Sequence, residues 1–383
     1  MNFGWISEHA VTMEPGMRGW DFRRTTAASI FLIVCFVLIA CTPKPFDEIV
    51  WRQQVRASDP SLLYAPHQKD GKFFNPWNQM GEKSLLNLIE WKISKKRKYT
   101  PIEEAYLPGV IPDAEERIAR SMEKDFIMWL GHGSFLIHLK GELFLTDPIL
   151  TERALIIKRK SPPAIPAESL KSIADHFTVI ISHNHYDHLD EETIEALPEN
   201  STVLCPLGLK EHIDGFDGKK NVIEMDWWQE YTSDAGTKII SLPAQHWSRI
   251  AGMGTNKSLW ASYMIQSSDI AIYFGGDSGY FIGYREFGKK FSRIDYALMP
   301  TTAYHPRWFM YYAHLDIPEA IEAFHELGAK YFIPTQWGAF HLGDEPPGFP
   351  ALDLQREIKE KQLNPERFLI MDIGEIIELQ ASR

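Results

Sequence analysis

Short apolar runs bounded by turn residues recur along the chain after residue 125. The runs 126–130 and 135–139 flank the turn Gly131-His132-Gly133-Ser134, and 142–148 follows the turn Lys140-Gly141. Such runs, rich in β-branched and aromatic residues and closed by Gly or Pro, predict buried strands. Further strands are predicted at 178–182, 202–205, 237–242, 259–266, 270–275, 295–299, 331–335 and 367–371.

Helical patterns fall between these strands. The clearest spans 317–327, where apolar residues recur at helical spacing and Gly328 follows as a C-cap. Strands that alternate with helices are typical of a layered α/β domain, which we place at 125–380.

An apolar run at 27–40 follows the basic residues Arg18, Arg23 and Arg24. It has the order of a signal peptide and is too short to span a bilayer comfortably. It ends in Leu38-Ile39-Ala40-Cys41, which resembles a bacterial lipobox. We therefore predict a lipoprotein signal peptide at 1–40 and lipidation of Cys41, with a plain signal anchor as the alternative. Position 42 is Thr and not the Asp that commonly retains lipoproteins at the inner membrane. We therefore predict that the protein is anchored in the outer membrane of a bacterial cell envelope and faces the periplasm.

The chain between the signal peptide and the main domain divides into two parts. Prolines recur across 41–72, which predicts a tether. The part at 73–124 contains a helical stretch at 84–91, followed by Lys95-Lys96-Arg97-Lys98. We interpret it as an N-terminal extension that packs on the main domain. The alternative is an amphipathic segment that lies against lipid.

Net charge and cysteine content exclude one class of partner and indicate how the cysteines are used. The net charge of −11 and the lack of a long basic tract argue against nucleic acid. If Cys35 is removed and Cys41 is lipidated, Cys205 is the remaining cysteine, so no disulfide is expected. Cys205 lies in the apolar run 202–205, where we interpret it as a packing residue.

The candidate chemistry is concentrated in Ser182-His183-Asn184-His185-Tyr186-Asp187-His188-Leu189-Asp190, directly after the predicted strand 178–182. The loop at the carboxyl end of a strand is where open α/β sheets carry their sites. His183 and His185 are two residues apart, so both rings can point to one side of an extended loop. Imidazole together with carboxylate suits a zinc-like ion. The alternative is a solvated His-rich loop that binds no metal.

Two more candidate ligands follow later strands. His246 comes just after 237–242, and Asp277 lies in the Gly-rich loop after 270–275. Each residue alone would more often be structural, but their order behind 183–188 suggests a shared metal site.

In this order the residues resemble the metallo-β-lactamase superfamily. Five motifs narrow the resemblance to N-acylphosphatidylethanolamine-hydrolysing phospholipase D and its bacterial relatives, over about residues 73–372. These motifs are His183-Asn184-His185-Tyr186-Asp187-His188-Leu189-Asp190, Pro243-Ala244-Gln245-His246-Trp247, Gly276-Asp277-Ser278-Gly279-Tyr280, Pro306-Arg307-Trp308-Phe309-Met310 and Asn75-Pro76-Trp77.

The resemblance implies an αββα sandwich with an N-terminal extension, and one or two Zn²⁺ ions. It assigns His183, His185 and His246 to one ion, Asp187 and His188 to the other, and Asp277 to a bridge between them. The family has a His before a Trp-Gly pair, and this chain has Gln336 there. The second ion could then be held by Gln336 or His341, or its site could be weaker.

The resemblance also implies roles around the ions. Asp147, in a Thr-Asp-Pro turn, would accept the N–H of a ligand imidazole and fix its tautomer. Asp187 or His314 would move protons, and His314 would contact the substrate phosphate or the leaving group. A solvated His at a helix start is the alternative for His314. His132 and His305 are weaker candidates.

The function implied is a lipid-anchored, metal-dependent hydrolase that attacks with a metal-bound hydroxide. Its expected substrate is a phosphodiester, including phospholipids of the N-acylphosphatidylethanolamine type, cleaved as by phospholipase D. A lactonase or other ester hydrolase on the same fold is the alternative. A non-catalytic envelope lipoprotein is a second alternative, which the substitution at Gln336 favours mildly.

Overall fold

The computed structural model describes residues 46–81, 85–216 and 218–380. The predicted signal peptide and Cys41 lie outside these ranges. The residues from Asp47 onward belong to one compact unit. In the described part of the chain, no helix combines the length and the apolar character that crossing a membrane requires.

Most strands of the described ranges are five residues long or shorter. In chain order they are β1 Gln68–Lys69, β2 Lys72–Phe73, β3 Phe126–Gly131, β4 Ser134–Leu139, β5 Glu142–Thr146, β6 Arg153–Ala154, β7 Ile157–Lys158, β8 Thr178–Ile180, β9 Thr202–Pro206, β10 Asn221–Met225, β11 Glu230–Thr232, β12 Lys238–Leu242, β13 Arg249–Ile250, β14 Gly254–Thr255, β15 Ser262–Gln266, β16 Ala271–Phe274, β17 Tyr296–Pro300, β18 Tyr331–Thr335 and β19 Ile376–Glu378.

The α-helices and 3₁₀ turns of the same ranges connect these strands. The α-helices are α1 Glu48–Arg56, α2 Leu85–Ile93, α3 Pro101–Ala105, α4 Ala114–Ser121, α5 Leu170–Ile173, α6 Glu191–Ala196, α7 Lys210–Asp214, α8 Gly283–Lys290, α9 Arg307–Met310, α10 Ile317–Leu327 and α11 Phe349–Glu360. The 3₁₀ turns are Pro60–Tyr64, Ala167–Ser169 and Pro365–Arg367.

Two mixed sheets form the body of the molecule. The first has seven strands in the order β10-β9-β8-β5-β4-β3-β19, and the second has six in the order β11-β12-β15-β16-β17-β18. In the first sheet β5, β8, β9 and β10 run parallel, and in the second β16, β17 and β18 do. The sheets meet through Tyr263, which donates to the carbonyl of Ile181 (2.9 Å), and through Trp129, which stacks on Trp337 (5.1 Å).

Helices cover the outer faces of both sheets. Ile118 of α4, Leu170 of α5, Ile194 of α6 and Ile213 of α7 share one buried core with the first sheet. Helix α10 packs on β17 and against α8 and α11. The predicted α/β layering is therefore confirmed. Cys205 is buried and unpaired in β9, as its apolar run predicted.

The boundaries of α10 agree with the prediction. Asp316 accepts from the backbone N–H of Glu319 (2.9 Å), the Glu319 carboxylate accepts from the backbone N–H of Asp316, and Gly328 has a φ of 65°. This capping box and left-handed C-cap fix both helix ends locally.

The predicted strand at 367–371 is wrong. The chain there forms the 3₁₀ turn Pro365–Arg367 and a single bridge between Phe368 and Phe332, and the last strand is β19. The ring of Phe368 packs at a tilt against Phe324 of α10 and Phe332 of β18 instead of extending a ladder. An apolar run can bury itself against a helix as well as in a sheet, and periodicity does not separate the two.

The predicted tether at 41–72 is also wrong from Glu48 on. That part contains α1, the turn Pro60–Tyr64 and the β1–β2 hairpin. Trp51 and Leu63 are buried, Trp51 against Tyr311 at a ring distance of 4.8 Å. Arg52 forms an ion pair with Glu322 of α10 (2.6 Å). Apolar contacts and an ion pair thus dock this segment on the main domain.

Residues 73–124 contact the main domain at the loop that follows β12. Asn75 donates to the carbonyl of His246 (3.0 Å), and Trp77 donates to Gln245 (3.1 Å). Trp91 of α2 stacks on Phe309 (4.9 Å).

Candidate metal centre

The His-rich loop leaves the carboxyl end of β8 at the middle of the first sheet. Asp147 leaves the parallel neighbour β5, and its backbone N–H donates to the carbonyl of Ile180 (2.9 Å). The loop folds back on itself because the N–H groups of His188 and Leu189 both donate to the carbonyl of His185 (3.0 Å each). Side chains from two adjacent strand ends are thereby brought to one edge of the sheet.

The second sheet supplies the opposite wall from its own strand ends. His246 follows β12, Asp277 follows β16 and Gln336 follows β18. Gly276 permits the close approach of the two walls, because a Cβ at that position would lie 2.6 Å from the Cβ of Ser182. Its φ of 56° also lies in the left-handed region that favours glycine.

A first group of ligands is formed by His183, His185, His246 and Asp277. One donor atom from each lies within 4.8 Å of all the others. The Nε2 atoms of His183 and His246 lie 2.8 and 3.1 Å from Nδ1 of His185, and 3.8 and 3.6 Å from Oδ2 of Asp277. Three imidazoles and a carboxylate at this spacing form a ligand set suited to a tetrahedral ion.

Hydrogen bonds behind the rings orient two of these histidines. Ser182 donates its hydroxyl to Asp147 (2.5 Å), so its oxygen can accept from Nδ1 of His183 (2.9 Å). Nδ1 of His246 donates to the carbonyl of Ala313 (3.1 Å). In both rings Nε2 keeps its lone pair and faces the group.

A second group adjoins the first and consists of His132, Asp187 and His188. Oδ2 of Asp187 lies 3.1 Å from Nε2 of His132 and 3.4 Å from Nε2 of His188. Behind the ring, Nδ1 of His188 donates to Oδ2 of Asp147 (2.7 Å), while Oδ1 of Asp147 accepts from the N–H of Ser182 (2.6 Å). Asp147 is therefore placed to fix the tautomer of His188, in the position that the sequence suggested for it.

Asp277 lies between the two groups. Its Oδ2 faces His183 and His246, and its Oδ1 lies 3.6 Å from Nε2 of His188. One carboxylate thus presents one oxygen to each group, which is the arrangement that a bridging ligand requires.

Buried polar atoms test whether the residues fit a cation. Nε2 of His188, Oδ1 of Asp277 and Oε1 of Gln336 are buried and have no hydrogen-bond partner. A buried acceptor without a partner is costly, and a cation at this place would satisfy such lone pairs. The donor set therefore fits one or two divalent ions.

The pKa shifts differ between the ligands of the centre. Burial would lower the pKa of His188, but the charges of Asp277, Asp187 and Asp147 raise it well above the ordinary value, and burial raises the pKa of Asp277 to about 7. The shifts of the other ligands favour cation binding. Burial lowers the pKa of His183 and His246 well below the ordinary value and that of His185 to about 4, which keeps these rings neutral. Burial alone would raise the pKa of Asp187, but His188 and the His132 hydrogen bond lower it well below its usual range. Neutral imidazole and ionised carboxylate are the forms that ligate metals.

Gln336 is buried and has a φ of 70°. Its Nε2 donates to the carbonyl of Gly276 (3.0 Å), which leaves Oε1 as its free acceptor. His341, the proposed substitute for Gln336, is exposed and belongs to neither group of ligands in the described chain.

The other candidate histidines differ in position. His314 borders the centre: its Nδ1 lies 3.9 Å from Oδ2 of Asp277, its ring centroid lies 5.5 Å from that of His246, and its side chain is 16% exposed. His305 instead pairs with the hydroxyl of Tyr99 (3.0 Å) and joins neither group.

Sequence reasoning undervalued two residues of the centre. His132, considered a weaker candidate, is fully buried and contacts Asp187. The sequence feature that could have identified His132 as part of the centre is its position in the Gly-His-Gly-Ser turn at the end of β3. Ser182, which relays between Asp147 and His183, was not singled out, because a serine after a strand carries no signal of its own.

Comparisons with known proteins agree with this geometry. Residues 143–337 match the model of a family described as the beta-lactamase superfamily domain. N-acyl-phosphatidylethanolamine-hydrolyzing phospholipase D 1 of Caenorhabditis elegans is 29% identical over 341 residues, which covers 82% of this chain and 95% of that protein. The mitochondrial enzyme of the same name from Saccharomyces cerevisiae is 31% identical over 266 residues, 64% of this chain and 56% of that protein.

An uncharacterised protein of Mycobacterium tuberculosis is 30% identical over 305 residues, which covers 75% of this chain and 78% of that protein. Among solved structures, a metallo-hydrolase of the archaeon Ignicoccus hospitalis has a TM-score of 0.53 at 19% identity, over 68% of this chain and 100% of that one. An isothiocyanate hydrolase from Delia radicum gut bacteria has a TM-score of 0.54 at 16% identity, over 67% and 100%. At these identities the structures support the fold alone.

Proposed function

This chain belongs to the beta-lactamase superfamily and is a metal-dependent hydrolase of that fold, and from this premise we propose that it cleaves a phosphodiester bond of a phospholipid in the manner of phospholipase D. The observation that carries the proposal is the pair of adjacent ligand groups that share Asp277. Two ions side by side suit the in-line displacement at a phosphodiester, where charge develops on both the attacking and the leaving oxygen. The names of the relatives from C. elegans and S. cerevisiae support the same substrate class.

The ligands we propose come from the two groups described above, together with Gln336. His183, His185 and His246 would hold one ion, with Asp277 shared. Asp187 and His188, the adjoining His132 and the Oε1 atom of Gln336 are available to a second. Histidine and carboxylate suit Zn²⁺, which we propose as the ion. When bound, such ions supply a water that is nucleophilic near neutral pH and offset negative charge on the phosphate.

The protein groups around the ligands have separate tasks. Asp147 and Ser182 hold the rings of His188 and His183 in the ligating orientation. Asp187 is kept anionic and can accept a proton from the attacking water. His314 stands at the edge of the centre, where it can contact a phosphate oxygen or give a proton to the leaving alcohol. The bond between phosphorus and that alcohol oxygen breaks as water adds to phosphorus.

Direct assay tests the proposal. Zinc-loaded protein should release phosphatidic acid from N-acylphosphatidylethanolamine in mixed micelles. His314→Gln should reduce that rate about 100-fold or more, as for loss of a general acid. His325→Gln is the matched control, since His325 is an exposed histidine on α10 and belongs to neither ligand group.

A panel of lactones and carboxylic esters assayed with the same protein separates the alternatives. Turnover of a lactone or ester without turnover of any phosphodiester would replace the proposal with a lactonase or esterase. Loss of all turnover in protein shown to hold its metal would favour a non-catalytic envelope protein.

A further inference from the structure

Helix α2 carries an apolar stripe on its outward side. Leu86, Ile89 and Ile93 follow one helix face and are 71%, 46% and 70% exposed. Trp91, on another side of the helix, is buried: its indole N–H donates to Asp344 (2.9 Å) and its ring stacks on Phe309. The inward contacts of α2 are thus made by Trp91, and the outward stripe has no protein surface over it in the described chain.

A second apolar projection is the tip of the β6–β7 hairpin. Leu155 and Ile156 are 70% and 80% exposed at this turn. Leu155 has a φ of 54°, in the left-handed region that bulky residues avoid. A turn built for stability alone would place glycine or asparagine there, so the bulky apolar tip calls for another explanation.

The segment 339–344 contacts both the β6–β7 hairpin and helix α2. At one end Ala339 and Phe340 share a small buried core with Ala154, and Ile157 of the hairpin packs against it. At its other end Asp344 accepts from Trp91 of α2 and from Lys96 (2.8 Å). The stripe and the tip therefore flank the same segment.

This segment is also a wall of the metal centre. Phe340 makes an edge contact with His132 at a ring distance of 5.1 Å, and His132 lies 3.1 Å from Asp187. The segment that both projections flank therefore also lines the metal centre.

The charge around the two projections opposes that of the whole chain. Between 85 and 99 five bases stand against the single acid Glu90: Lys92, Lys95, Lys96, Arg97 and Lys98. Beside the hairpin tip, the bases Arg153, Lys158 and Lys160 are exposed together with one acid, Glu152. This cluster of positive charge on a chain of net charge −11 indicates an anionic partner.

We propose that Leu86, Ile89, Ile93, Leu155 and Ile156, termed the docking surface, insert into the head-group layer of an anionic phospholipid bilayer. Exposed apolar residues ringed by lysine and arginine have the chemistry of an interfacial surface: the apolar groups enter the acyl boundary and the cations contact lipid phosphates. A protein partner would need to match both projections and the basic rim, whereas a bilayer needs no specific shape. Docking does not depend on the hydrolysis proposed above, because none of the five residues is a ligand.

Environment-sensitive labels test the surface in the full chain. In a Cys35→Ser, Cys41→Ser background, a nitrobenzoxadiazole label is attached at Leu86→Cys or Ile156→Cys; Cys205 is buried. Asn200→Cys is the matched control: it is exposed and precedes β9, at the opposite end of the sheet from the metal centre. With phosphatidylglycerol-containing vesicles, the labels at 86 and 156 should shift to the blue and gain intensity, while the label at 200 should not.

Charge and self-association are tested separately. Lys95→Glu with Lys98→Glu should weaken binding to anionic vesicles by about tenfold or more, since each surface cation contributes roughly fivefold. Unchanged emission at 86 and 156 on these vesicles, or an equal change at 200, would overturn the proposal. So would a blue shift that rises with protein concentration in the absence of vesicles, because it would assign the surface to a second copy of the chain. Each outcome is read without measuring hydrolysis.

Discussion

Asp277 is the residue on which both ligand groups depend, because its two oxygens face different groups. Asp277→Asn keeps the size of the side chain and removes its charge. We expect both sites to lose metal and the hydrolysis rate to fall by about 100-fold, at the upper end of the 10–100-fold that loss of a metal-site partner commonly costs. His183→Ala should damage mainly the first group.

Metal stoichiometry and hydrolysis rate, measured on the same sample of each variant, test whether Asp277 serves both ligand groups. If Asp277 only capped a Gly-rich turn, Asp277→Asn would change the melting temperature but leave metal content and rate near the wild-type values. That result would remove the two-ion arrangement.

Gln336 sets the strength of the second group. An amide oxygen is a weaker ligand for zinc than an imidazole nitrogen, so wild-type protein should hold one ion tightly and a second loosely. Gln336→His should raise occupancy of the second site after dialysis, and Gln336→Leu, which offers no ligand, should lower it. Elemental analysis measures both. Two tightly held ions in the wild type would mean that the shell is already complete.

His67 gives the molecule a pH-dependent contact away from the centre. Burial opposes its charged form, but the hydrogen bond (2.8 Å) and charge of Asp226 outweigh burial and raise the pKa of His67 above 6.5. A raised histidine pKa stabilises the fold fully below the unfolded-state value, and that stabilisation is lost as pH rises through the folded-state value.

Urea unfolding of wild type should therefore show a loss of roughly 1 kcal/mol or less between pH 6 and pH 8.5 that His67→Gln does not show. The other titrating groups contribute equally to the pH dependence of unfolding in both proteins, so their contribution cancels in the comparison. An identical pH slope in both would mean that the pKa of His67 does not change on folding, which would contradict the raised value.

At the scale of elements, helix α1 shows what the wrongly predicted tether contributes. Asp47 caps its first N–H groups, Trp51 packs on Tyr311 and Arg52 pairs with Glu322. Trp51→Ala should release α1, at a cost of about 3 kcal/mol for truncating a buried aromatic side chain. Limited proteolysis should then cut between 47 and 60.

Ile49→Ala on the same helix is the control, since Ile49 is 70% exposed. It should leave both the proteolysis pattern and the melting temperature nearly unchanged. Equal protection of Trp51→Ala and wild type would show that the ion pairs alone hold α1.

For the whole molecule, we propose attachment to the bacterial envelope through Cys41, in the part of the chain outside the described residues. Cys41→Ser should abolish incorporation of a labelled fatty acid, because Cys41 is the thiol directly after the apolar run 27–40, whereas Cys205 is buried in β9. Cys35→Ser is the matched control and should retain the label, since residue 35 lies inside the predicted signal peptide. Equal labelling of wild type and Cys41→Ser would contradict the anchor.

The sequence alone determined the features that depend on neighbours along the chain. Apolar runs predicted the inner strands of both sheets, and the helical spacing of 317–327 with Gly328 as C-cap predicted the span of α10, because these signals act within a few residues. The closely spaced histidines of 183–188 indicated metal chemistry for the same reason, since two residues along a loop already fix the relative direction of two rings.

Only the tertiary structure decided which distant residues share a site or a surface. His132 reaches Asp187 across 55 positions, and Arg52 reaches Glu322 across 270. The run 367–371 packs on α10 instead of forming a strand, because its apolar side chains found a partner that no local pattern specifies. The outward stripe of α2 is likewise visible only once Trp91 is seen to face Phe309. Local sequence fixes backbone preference and side-chain spacing, whereas burial is decided by which surfaces meet.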